Sequence, residues 1–123
     1  MPYDPGVTPH PNDWLAMPES DRHEAVKRYH ERTNFQGESL KMHAAIHVVI
    51  ENQLADGHPA ATAAMGRLLT EGLDRHDAIH AIGDVFSREM YAVMTEKRPH
   101  DPEFYARNLN QLTAAAWLAS WDD

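Results

Sequence analysis

Apolar side chains recur at three- and four-residue spacing along most of the chain, the period that gathers them on one strip of an α-helix. Turn and capping residues divide that pattern into segments. Asp13 to Met17 supplies a single turn with Trp14 and Leu15 as anchors. Ser20 or Asp21 can cap a first full helix, about residues 20–33, whose face runs His23, Val26, Tyr29, His30 and mixes polar with apolar groups. Thr33 to Glu38 contains Asn34 and Gly37 and reads as a loop. Glu38 or Ser39 then opens a second helix, about 38–55, which stops at Asp56-Gly57 and Pro59. From Met42 to Ile50 this helix is apolar nearly all round except for two histidines, so it is expected to sit centrally with neighbours on several sides.

A third helix, about 59–71, starts at Pro59, ends before Gly72 and buries Ala61, Ala64, Met65, Leu68 and Leu69. Asp74 caps a fourth, about 75–97, with Ile79, Ile82, Gly83, Phe86, Met90 and Val93 as its core stripe. After Pro99 and Pro102 a fifth runs to about 120, with Phe104, Leu109, Leu112, Ala116 and Ala119 inward and Trp117, Leu118 and Trp121 on the other side. No segment alternates as a strand does. The pattern therefore predicts an all-α fold, a compact bundle of about five helices. Residues 1–12, which hold four of the eight prolines, read as an extended arm, and 13–123 as a single helical domain.

Two segments carry candidate chemistry. His43-Ala-Ala-Ile-His47-x3-Glu51 and His76-Asp-Ala-Ile-His80-x3-Asp84 each set His, His and a carboxylate at four-residue intervals, hence on one strip of a helix. Imidazoles one turn apart can chelate a transition metal. His43 and Glu51 stand about 12 Å apart along the axis, too far to share an ion easily. If the short loops reverse the chain each time, the second and fourth helices run parallel. Their rungs then stand level: His43 by His76, His47 by His80, Glu51 by Asp84. His43, His47, His76 and His80 are the candidate ligands, with Glu51 and Asp84 as further ligands or as groups that orient the histidines. Histidine with some carboxylate and no sulfur suits Zn, Fe, Mn or Ni. A metal-free polar network is the competing reading, since Glu51 and Asp84 can fix the same imidazoles by hydrogen bonds. His23 and His30 could add ligands from the first helix, but they stand two turns apart, and plain surface or interface packing is the favoured reading.

Charge and composition narrow the classes. With 19 acidic against 11 basic side chains the net charge is -8, and the basic residues are scattered, which disfavours nucleic acid. There is no cysteine, which removes thiolate and disulfide chemistry. The start has no secretory pattern and no apolar run reaches spanning length, so no membrane partner and a cytoplasmic location are expected. The nine histidines permit a response to pH. Phosphate loops, nucleophile elbows and the zinc-protease H-E-x-x-H pattern are absent. Trp117 and Trp121 suggest a packing or homodimer surface on the last helix.

His43-Ala-Ala-Ile-His47-Val-Val-Ile-Glu51-Asn52-Gln53, followed by Arg75-His76-Asp-Ala-Ile-His80, resembles the motifs of a family of small bacterial proteins of unknown function. Trp14-Leu15 and Tyr29-His30 are similar to its N-terminal part. The resemblance spans residues 14–90 and implies a helical fold, with no established activity. Two functional readings follow: a transition-metal-binding helical bundle, or a non-enzymatic interaction module with a structural histidine network.

Overall fold

The computed structural model describes residues 2–33, 35 and 39–120; Asn34, Gly37, Glu38 and Trp121, used above, lie outside them. Among the described residues there are seven helices and no strand: α1 (Pro11–Ala16), α2 (Glu19–Arg32), α3 (Leu40–Ala55), α4 (Pro59–Thr70), α5 (Arg75–Glu96), α6 (Pro102–Gln111) and α7 (Ala114–Ala119). The fold is all-α as expected, with two helices more than the sequence pattern suggested. None of the described helices is long and apolar enough to cross a membrane.

Local chemistry explains most boundaries. Ser39 accepts from the Met42 N–H and Asp74 from the Asp77 N–H, each tying down a donor of the first helical turn. Gly57 and Gly72 take φ of 73° and 104° after α3 and α4, where a side chain would be strained. The expected cap of α2 is corrected. Neither Ser20 nor Asp21 caps it; Pro18 occupies the N-cap position without a side-chain cap, with φ near the helical value, after an extended Met17.

The single C-terminal helix is also corrected. α6 ends at Gln111, and the Thr113 hydroxyl accepts from the Ala116 N–H to start α7. α4 holds this break open. Arg67 donates to the Leu109 and Leu112 carbonyls, and Glu71 accepts from the Ala114 N–H. On α6 Tyr105 and Leu109 are buried and Phe104 is exposed; the turn then shifts the helical phase, so Leu112, Ala114 and Trp117 are buried while Ala116 and Ala119 are exposed. Trp117, read as a packing or homodimer surface, is only 4% exposed and packs within the core.

Two apolar clusters meet across α3. Ile50 faces the larger one with Leu68, Ile79, Ile82 and Leu109; Val48 and Ala44 face a smaller one with Tyr3, Trp14 and Val26. α3 packs on α1, α2, α4 and α5, the central position its all-round apolar surface called for.

The direction of α5 overturns the level-rung expectation. Contacts across α3 and α5 run in reverse order: Glu51 meets Arg75, His47 meets His76 and His80, and His43 meets His80. The two helices are antiparallel. The chain leaves α3 close to where it enters α5, and α4 makes a sideways excursion onto α5 and α6 instead of running back along α3.

Candidate metal centre

Five imidazoles converge where α2, α3 and α5 meet. His30 comes from α2, His43 and His47 from α3, and His76 and His80 from α5. One ring nitrogen of each lies within 4.8 Å of the corresponding atom of every other. The tightest contacts are His47 Nε2 to His80 Nε2 at 2.9 Å and His80 Nε2 to His43 Nε2 at 3.2 Å. His30 closes the group from the α2 side, with ring centroids 4.5 Å from His43 and 4.7 Å from His47. His30 and His47 are buried and the other three half-buried.

Hydrogen bonds on the outer nitrogens set which lone pairs face inward. His30 Nδ1 lies 2.9 Å from the Val26 carbonyl, which can only accept, so the proton is on Nδ1 and Nε2 is bare. Tyr3 spends its single hydroxyl proton on Glu51 Oε2 at 2.6 Å. Its oxygen, 3.3 Å from His47 Nδ1, can then only accept from that nitrogen, which leaves His47 Nε2 bare as well. Glu51 is fixed in turn by a two-point ion pair with Arg75, at 2.8 and 2.7 Å, and Arg75 also donates to the Pro5 carbonyl. The N-terminal arm is thus tied to the site through Tyr3 and Pro5.

Two further facts show what protein groups alone leave undone. His30 Nε2 and His76 Nε2 are buried, and among the described residues neither has a hydrogen-bond partner. A buried polar atom left so costs about 1–3 kcal/mol. Meanwhile one His80 Nε2 faces both His47 Nε2 and His43 Nε2. A single proton there can serve only one of them well.

Electrostatics hold the rings neutral. Burial first, then the neighbouring imidazoles, lowers His43 to about 4 and His80 to about 3. The same causes lower His47 further still, and burial lowers His30. His76 is lowered by burial and then by His30, against the partial opposition of Asp74, Asp77 and Asp4. Burial also raises the Tyr3 phenol, with Glu51 adding to it, so Tyr3 remains a donor. Neutral imidazole is the form that ligates metal.

The sequence-derived candidates divide accordingly. His43, His47, His76 and His80 come together. Glu51 faces away, toward Arg75 and Tyr3. Asp84 is an exposed residue whose Oδ2 accepts from the Trp117 indole N–H at 2.7 Å. Neither carboxylate enters the donor group. His30, read as packing, is in it, whereas His23 stands half-buried beside Glu19. Nothing in local spacing marks His30; only the crossing of α2 over α3 brings it in.

One side of the centre opens into a cleft of about 480 Å³, walled by His43, His47 and His80 together with Phe35, Ser39, Ile46, Gly83, Asp84, Ser87 and Trp117. A separate buried carboxylate, Glu89, pairs with Arg98 at 2.8 Å and His100 at 3.2 Å and anchors the α5–α6 connection.

Comparison with known protein families gives a match. The family described as "Domain of unknown function (DUF1841)" covers residues 7–111, and the chain belongs to it. The resemblance to an uncharacterised family is borne out. No curated protein and no solved structure matches the chain.

Proposed function

We propose that this member of the family binds one transition-metal ion per chain through His30, His43, His47, His76 and His80. One observation carries the reading: five donor nitrogens lie within 4.8 Å of one another, with the lone pairs of at least His30 and His47 turned inward. Around an ion with bonds of about 2.1 Å, neighbouring donors at right angles stand about 3.0 Å apart and opposite ones about 4.2 Å. The 2.9 and 3.2 Å contacts are close to the first value. A metal-free network accounts for the shorter of these contacts but leaves His30 Nε2 and His76 Nε2 without a partner.

Five nitrogens exceed the four ligands of closed structural zinc, and the donor set contains no oxygen or sulfur. That favours a five- or six-coordinate ion of the Fe(II), Co(II) or Ni(II) type over tetrahedral zinc, and over Mn, which prefers oxygen. Glu51 acts from outside the ligand set, orienting His47 through Tyr3. Asp84 stands at the rim of the centre.

Elemental analysis of protein purified without an affinity tag tests the proposal. Wild type is expected to carry close to one ion per chain, and His47→Ala and His76→Ala to lose it while keeping their helical circular dichroism. Trace metal in wild type that persists unchanged in both variants would refute the metal reading in favour of a purely structural histidine network.

A further inference from the structure

The cleft beside the five histidines gives their ion an accessible face. We propose that this face takes a small, uncharged, proton-donating ligand, bound to the metal by a lone pair and hydrogen-bonded to the carboxylate of Asp84. This rests on the metal reading and adds to it what the centre is open to.

Three observations carry it. First, His43, His47 and His80 form the inner wall of the cleft, so a molecule in it lies against the donor group itself. With five protein nitrogens on the ion, a sixth position is left, and the cleft is the side from which it can be reached. Second, Asp84 is one helical turn beyond His80 on the same strip of α5, which sets it on the wall of the same cleft as His43, His47 and His80. The Trp117 indole N–H holds Oδ2 at 2.7 Å and thereby fixes the plane of the group. Third, among the described residues no lysine or arginine lines the cleft and Asp84 is its one acidic residue; beside the three histidines the wall is apolar or aromatic with two serine hydroxyls. An anion therefore meets a carboxylate with no cation to offset it, apart from the metal. A neutral ligand bearing an N–H or O–H meets an acceptor. The cleft volume lies within the usual range for small-molecule sites.

Cobalt(II) serves as the reporter, because its visible bands respond to a change of coordination. The cobalt-loaded full chain is titrated with imidazole, a neutral metal ligand with an N–H to offer, and separately with azide, an anionic one without a proton. Cobalt content is measured after each titration. Imidazole is expected to shift the bands in a saturable way, with azide needing at least about tenfold higher concentration. Asp84→Asn should take up cobalt as wild type does, bind imidazole about tenfold more weakly and azide more tightly. Ser87→Trp, which places a bulky ring in the cleft, should abolish both responses without loss of cobalt.

The inference is overturned if neither probe moves the bands of loaded wild type, or if azide binds more tightly than imidazole. It is equally overturned if imidazole only strips the cobalt, or if Asp84→Asn leaves the preference unchanged. Failure of wild type to take up cobalt at all refutes the metal reading itself, and this inference with it.

Discussion

Tyr3 acts on the centre from a distance of one ring. Its hydroxyl joins Glu51 to His47, and Glu51 is held by Arg75, so an ion pair sets the tautomer of an imidazole it does not touch. Breaking that pair from one side would leave a buried charge and cost about 3–5 kcal/mol, which would confuse any metal assay. Tyr3→Phe is the cleaner probe, because it keeps the ring packed against Trp14 and removes only the bridge. Metal affinity should fall by about 10- to 100-fold, since removal of such an outer partner frees the ligand to turn. Competition against a chromogenic chelator measures this, and the position of the cobalt bands should move as well. A lowered melting temperature with unchanged affinity and spectrum would make the bridge a matter of stability alone. None of this was legible in the sequence. Tyr3 stands 44 positions from His47, in a segment that reads only as an arm.

At the level of helices, Gly83 governs how closely α3 and α5 approach. A Cβ there would stand 2.8 Å from Ile46 Cγ2, a methyl whose χ1 is restricted in a helix. Gly83→Ala gains about 1 kcal/mol of helix propensity but loses about 1–3 kcal/mol to overpacking, so overpacking is expected to prevail. The helices should part slightly at His43 and His80. The expected outcome is a net loss of stability up to about 2 kcal/mol in denaturant unfolding, with weaker metal retention. A more stable variant with full metal affinity would show that the helices adjust freely.

Helix existence was readable because Ser39, Asp74, Gly57, Pro59 and Gly72 mark ends by local chemistry. The break at Thr113 carried the same kind of mark, but an unbroken run of helix-forming residues around it obscured the signal. The direction of α5 had no mark at all. Periodicity tells which face of a helix is buried, never which way a neighbour runs, so the four ladder histidines and the His47–His80 contact were found, while His43 meets His80 and not the expected His76. His30 was missed for the same reason, because its place depends on how α2 crosses α3.

For the molecule as a whole, the depressed histidines couple stability to acidity. In the unfolded chain each titrates near 6.5; in the fold His43 does so at about 4 and His80 at about 3. Above 6.5 both states are neutral and nothing is lost. Below it the unfolded chain takes up protons that the fold refuses, and stability declines as pH falls through the interval down to the folded values. The metal-free protein should therefore melt at progressively lower temperature between about pH 7 and about pH 5, and the loaded protein should release its ion as protons compete for the same nitrogens. Thermal melts with and without a chelator measure both; a flat profile without metal would contradict the depressed values. The arm lends this design a temporal order. Pro5 is joined to Arg75 across 70 positions, and the five histidines span residues 30 to 80. No single helix contains the whole donor set, and contacts of such long range are closed by docking of helices already formed. Tyr3 and Pro5 close on the site across 44 and 70 positions, so the centre takes its final shape only once the three helices that supply its histidines have docked.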